Sequence, residues 1–208
     1  MIIAVDGPLA SGKGTIARTL AAKFALPYLD TGSLYRATAL AVLDAGDDPA
    51  DAKAAVRAAQ GLKADAIDES RIRTADAGAA ASKVAVIPEV REALYKVQRD
   101  FAYQPGGAIL DGRDIGTVIC PDADVKLFVV ADAETRARRR WMELQAKGDT
   151  ISYEEMLSQT LERDARDAQR SDAPMQAAED ATLLDTTSLS IDAAVAAAIA
   201  IVEKRQKA

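Results

Sequence analysis

IIAVDGPLASGKGTIARTLAAKF, residues 2–24, decides the architecture. Its apolar start, with Met1 before it (residues 1–5), has the length and composition of a buried strand. Gly7 follows, then four residues, then Gly12 and Lys13, then a run in which Ile16, Leu20 and Phe24 repeat at four-residue spacing. Strand, glycine-rich turn and helix in that order are the context a phosphate-binding P-loop requires. Gly7, Gly12 and Gly14 let the backbone turn tightly, so that successive N–H groups converge on a polyphosphate. The helix contributes its positive N-terminal end, and Lys13 contributes a mobile charge for the outer phosphates. Gly7, Pro8, Leu9, Ala10, Ser11, Gly12, Lys13, Gly14 and Thr15 are therefore the candidate contacts of a nucleoside triphosphate. The hydroxyl expected directly after the lysine is displaced by one: Gly14 stands there, and Thr15 becomes the candidate hydroxyl for Mg²⁺. The loop specifies triphosphate binding and leaves the reaction open.

Working outward, strand-length apolar segments at 28–29, 108–110, 125–130 and 183–184 alternate with Ala-rich helical patterns. That alternation predicts an α/β fold with a mostly parallel sheet. Leu34, Thr38, Ala41 and Ala45 predict one helical face, ended by Gly46. Pro88 predicts the first turn of a helix that buries Val90, Leu94, Val97 and Phe101. Ser152 with Glu155 reads as a capping box for the helix that follows. The polar, Ala-rich stretch 47–87 is expected to be a helical insertion.

What is absent narrows the chemistry. The chain of 208 residues has no His, no Asn and one Cys, Cys120. Without His there is no Ser-His-Asp hydrolysis, His general base or His-ligated zinc. A single Cys allows no internal disulfide and no thiolate cluster. Without Asn the guanine-reading Asn-Lys-x-Asp motif of GTPase switches cannot exist, and a protein kinase's His-Arg-Asp loop is missing too. The 26 Lys and Arg against 32 Asp and Glu leave a net charge of −6, which speaks against a nucleic-acid or membrane-surface binder. The longest apolar run, 193–202, is about half of a membrane span, and the N-terminus lacks signal-peptide character. A cytoplasmic protein is expected.

Against this acidic balance, Arg136, Arg138, Arg139, Arg140, Arg163, Arg166 and Arg170 cluster within one region. Arg163, Asp167 and Arg170 lie at i, i+4 and i+7, the spacing of one helix face. Such a cluster is either a solvated face laced with ion pairs or a set of charges for phosphoryl transfer. With no His, the economical acceptor is one that is already an oxyanion and needs no base, a nucleoside monophosphate. A metabolite kinase with an Asp base, a kinase of UMP or AMP, and a non-catalytic nucleotide switch are the alternatives.

Five segments in order resemble the bacterial cytidylate (CMP) kinases: GPLASGKGT at 7–15, LDTGSLYR at 29–36, ASKVAVIPEVREAL at 81–94, LDGRDIGTVICPDADVKLFV at 110–129 and ERDARDAQR at 162–170. The resemblance implies a P-loop kinase fold with a five-stranded parallel sheet, an NMP-binding insertion and a helical lid. One domain is expected over 1–208, its core at 1–31, 105–131 and 180–208, the NMP-binding segment near 32–104 and the lid near 132–172. ATP would be the donor and Mg²⁺ the cofactor, with Asp111 steering the ion's waters or merely capping a turn. Arg36, Arg113 and Arg170 would clamp the CMP phosphate, near Thr31, which replaces the Ser of many relatives. Ser82, Arg91 and Asp114 would read the cytosine edge. Tyr35, Arg163 and Asp167 would contact the ribose. Arg136, Arg139 and Arg140 would close over the transferring phosphoryl beside Lys13. CMP and dCMP would be the acceptors, and the protein a monomer. The stretch 61–74 is shorter than the family's insertion, which in longer members carries a small antiparallel sheet.

Overall fold

The computed structural model describes residues 1–62, 67–72 and 74–206. Part of the short insertion at 61–74 therefore lies outside the described residues. The chain folds into two compact units, Met1–Leu29 with Tyr103–Ala208, and Asp30–Ala102.

The first unit is built on a sheet. Strands β1 (Ile3–Asp6), β2 (Tyr28–Asp30), β3 (Ile109–Gly112), β4 (Val125–Val130) and β5 (Thr182–Asp185) lie in the order β2-β3-β1-β4-β5, and β1/β3, β1/β4 and β4/β5 pair in parallel. All five expected strands form, and β1 lies at the centre of the sheet because its apolar residues are buried on both sides. On one face, Ile3, Val5, Ile109, Val125, Leu127 and Leu184 pack against α1 (Lys13–Phe24) and α9 (Ile191–Gln206). Ile16 and Leu20 of α1 are buried as the spacing predicts, with Phe24 partly buried beside them. By the two-residue period of a strand, Ala4, Asp6 and Lys126 point to the opposite face. There the chain after β3 forms a single π-helical segment, Ile115–Ile119. Helices α7 (Ala133–Gln145) and α8 (Tyr153–Gln169) make a hairpin with its own small core of Ala137, Leu144 and Met156. Trp141 closes it, donating Nε1–H to the Ile151 carbonyl at 3.0 Å and meeting Tyr153 edge-on.

The second unit is helical among the described residues: α2 (Thr31–Asp44), α3 (Ala52–Gln60), α4 (Glu69–Ile72), α5 (Ala75–Val84) and α6 (Pro88–Ala102). The expected helical insertion is present, but two faces differ from the reading of the spacing. In α2 the buried line runs through Leu34, Thr38, Ala39 and Val42, whereas Ala41 and Ala45 are exposed. In α6 it runs through Val90, Arg91, Leu94, Gln98 and Ala102, with Val97 and Phe101 only partly buried. A buried glutamine is tolerated there because its amide returns to the Leu94 carbonyl at 3.1 Å.

Candidate active site

At the carboxyl end of β1 the chain leaves the sheet through Gly7, whose φ is +149°. A Cβ there would stand 2.0 Å from the Val129 carbonyl oxygen, so only glycine fits. Ala10 at φ 59° and Gly12 at φ 91° carry the loop round to the N-terminus of α1, where no side chain caps the first N–H groups. An uncapped helix start of this kind suits an anion. Lys13 Nζ lies 3.9 Å from Asp111 Oδ2, near the end of β3, and Tyr28 donates its hydroxyl to Asp111 Oδ1 at 2.9 Å. A Cβ on Gly14 would stand 3.4 Å from the same Asp111 oxygen, an ordinary contact, so Gly14 lies directly against this carboxylate. Asp111 is buried and Thr15 exposed. No group of three or more acidic or Cys side chains able to hold a metal occurs among the described residues. One buried carboxylate beside a phosphate loop does fit Mg²⁺, which takes one or two carboxylates and completes its shell with phosphate oxygens and water.

The loop's outward carbonyls are held by the helical hairpin. Arg136, 4% exposed, donates to Leu9 O at 3.3 Å, to Ala131 O at 2.8 Å and bidentately to Asp164 at 3.0 and 2.5 Å. Arg139 donates to the hydroxyl and carbonyl of Thr186, and Thr186 Oγ1 lies 2.9 Å from Ser11 O. Arg140 instead pairs with Glu143 at the surface. Of these arginines Arg136 is buried, Arg139 and Arg140 are half-buried and Arg138 is exposed.

Beyond β3 come Arg113 and Asp114. Arg113 Nε donates to Asp167 Oδ2 at 2.8 Å, and its NH1 to Gly112 O at 3.2 Å. Burial pushes the Asp167 carboxyl up, but Arg113, Arg163 and Arg170 around it together hold it below the usual carboxylate range. Arg170 sits one residue past the end of α8; it donates to Ala173 O at 2.6 Å and lies 4.0 Å from Asp114 Oδ1. The i, i+4, i+7 set therefore converges, although its last member has left the helix.

In the second unit, Arg36 NH2 pairs with Asp30 Oδ2 at 2.6 Å, while Arg36 Nε is buried with no hydrogen-bond partner among the described residues. Gly32 lies beneath this pair, where a Cβ would meet both side chains near 3 Å. Thr31 opens α2 and is buried. Arg91 is 6% exposed and directs NH1 to the Tyr35 hydroxyl at 3.5 Å. Ser82 is buried on α5, its hydroxyl without a hydrogen-bond partner among the described residues.

One residue of this region gave no signal of its own in the sequence. Asp6, the last residue of β1, accepts the N–H of Ile115 at 2.8 Å and of Gly116 at 2.7 Å.

A parallel sheet whose central strand feeds a glycine-rich phosphate loop, with buried arginines on the helices and loops that follow, defines the P-loop kinase class. Solved structures of the same fold include an uncharacterized protein from Eubacterium ventriosum (TM-score 0.58, 13% identity, covering 100% of this chain and 99% of that one). A gluconokinase from Sinorhizobium meliloti is similar at TM-score 0.51 and 14% identity, covering 99% and 93%. The chain belongs to the cytidylate kinase family, whose model matches residues 3–204. A cytidylate kinase of Methylocella silvestris is 58% identical over 98% of this chain and 94% of its own length. Those of Cereibacter sphaeroides and Rhodospirillum rubrum are 56% and 52% identical, covering 98% and 96%, and 100% and 100%, of the two chains.

Proposed function

We propose that this protein transfers the γ-phosphoryl group of ATP to CMP and dCMP, giving ADP and CDP or dCDP. The observation that carries the reading is that the P-loop, Lys13 and Asp111 stand at the carboxyl edge of the sheet from which Arg113 and Asp114 also emerge. No His is needed, because the acceptor phosphate is already an oxyanion and transfer depends on positioning and charge. The backbone of 7–15 and Lys13 cradle the donor phosphates. Asp111, acting through the ion's waters, and Thr15 would hold Mg²⁺, which would neutralise charge on the donor phosphates.

In the first unit Arg113 and Arg170 take the acceptor phosphate, and Asp114 accepts from the exocyclic amine that uracil lacks. Arg163 and Asp167 meet the ribose, and Arg136, Arg139 and Arg140 belong to the lid. In the second unit Arg36 and Thr31 serve the phosphate, Ser82 and Arg91 the cytosine edge, and Tyr35 the ribose. The orphaned Arg36 Nε and Ser82 hydroxyl support these roles, since a buried donor without a partner is costly unless a ligand supplies one. A cytoplasmic monomer is part of this reading; no helix of the described residues is long and apolar enough to cross a membrane.

A coupled ADP-release assay with ATP and Mg²⁺ tests the reading, offering CMP, dCMP, UMP, AMP and shikimate separately. Fast release with CMP and dCMP alone is expected. Equal release with UMP would remove Asp114 as the discriminator, and no acceptor-dependent release would remove the activity.

A further inference from the structure

The π-helical segment Ile115–Ile119 is held at both ends by buried charges from the sheet face beneath it. At its start, the two oxygens of Asp6, 4% exposed, take the first two N–H groups, those of Ile115 and Gly116. Just past its end, Lys126 of β4, 8% exposed, donates Nζ–H to the Pro121 carbonyl at 2.6 Å and to Asp180 Oδ1 at 2.8 Å. Gly116 lies between the two anchors: a Cβ there would stand 3.2 Å from Lys126 Cδ and 3.4 Å from Asp6 Oδ2. The Asp6 carboxyl at the leading N–H groups and the Lys126 ammonium on the chain just past the trailing end bracket the turn. Single π-turns are rare and, where they occur, frequently lie at functional sites.

We propose that Asp6 and Lys126 are positioning residues for acceptor recognition, fixing this π-turn so that Arg113 and Asp114, which immediately precede it, hold their orientation toward the nucleotide. Asp6 is also the residue before Gly7. One carboxylate thus ties the first residue of the donor loop to the segment that carries the acceptor-reading side chains. The burial that pushes the Asp6 carboxyl up to about 7, against the lowering influence of the two N–H groups, marks this as a costly arrangement retained for its geometry. The proposal rests on the acceptor roles given above to Arg113 and Asp114.

Asp6→Asn replaces one acceptor by a donor facing an N–H and leaves the volume unchanged; Lys126→Met keeps the stem over Gly116 and removes the charge. Steady-state kinetics with CMP, UMP and ATP should show the KM for CMP raised about tenfold in Asp6→Asn and the CMP-to-UMP ratio of kcat/KM lowered by a similar factor. The KM for ATP should stay within about twofold, and Lys126→Met should follow the same pattern more weakly. Equal rises for ATP and CMP, or no change in the CMP-to-UMP ratio in either variant, would overturn the proposal in favour of general fold support. If Asp6→Asn does not fold, NMR of the unaltered protein decides. The Ile115 and Gly116 amide protons should titrate together, with a midpoint well above the ordinary carboxylate range, and CMP should perturb them. Amides that do not follow a carboxyl titration would refute the clamp. Failure of the unaltered enzyme to phosphorylate CMP would refute the functional reading instead, and the amide titration would still decide the clamp.

Discussion

In the proposed reading, one side chain, Asp114, confers the base selectivity. Its side chain is buried, 4.0 Å from Arg170, and an ionised carboxylate is an acceptor only. Cytosine presents an amine to such an acceptor, while uracil presents a carbonyl that would leave both groups unsatisfied. Asp114→Asn is expected to lower the CMP-to-UMP preference by about one order of magnitude or more while changing the KM for ATP little, read from kcat/KM with each acceptor. Asp6 makes a different kind of prediction, one of pH. Facing it are the Asp114 carboxylate, which raises it, and the Arg113 guanidinium, which lowers it, with the Lys126 stem alongside. Its folded value of about 7 lies above the unfolded 3.8, so folding favours the protonated form. Its contribution to stability is therefore fully present below about pH 4 and is lost as pH rises toward 7. Asp167, held low in the fold, acts oppositely and loses its contribution only in acid. Thermal melts of Asp6→Asn between pH 5 and 8 should show a flatter dependence than the unaltered protein; an unchanged slope would assign the titration elsewhere.

Among the elements, α8 owes its start to one hydroxyl. Ser152 Oγ accepts the Glu155 N–H at 3.1 Å, the capping half of the expected box. Ser152→Ala should cost about 1 kcal/mol, seen in urea titrations and as faster amide exchange in the first turn of α8. The strands were legible as short apolar runs bounded by polar residues, and in the inner strands β1 and β3 burial on both faces makes that pattern continuous. Helix faces were harder to read. An alanine fits a core or a surface equally well, so Ala41 and Ala45 extend the apparent line of α2 without belonging to its buried face. In α6, Gln98 is buried in place of Val97 because the helix can satisfy its amide internally, which hydrophobic spacing does not register. The π-turn has no periodic signature either. Five residues, IGTVI, take that form through contacts with the sheet.

Over the whole molecule, ligand binding and stability are linked. If CMP occupies the folded chain alone, a concentration 100 times its Kd should add about 2.7 kcal/mol to unfolding. Differential scanning fluorimetry should then show Tm rising with CMP and much less with UMP at equal concentration; equal shifts would contradict the cytosine reading. The acidic balance of −6 coexists with this anion chemistry because the positive charge is concentrated locally on the P-loop lysine and the arginines after β3 and on α7 and α8. What the sequence determined alone was whatever is local or spaced by a fixed period: five strands, the glycine loop and its lysine, and the ordered segments that mark the family. What tertiary structure decided was which distant groups complete one another. Asp6 meets residues 109 and 110 positions away, and Thr186 meets the P-loop across 175. Arg136 is withdrawn from solvent to hold Leu9 and Asp164. A buried charge is stable only where folding brings it a partner, and the identity of that partner is a property of packing that no local spacing encodes.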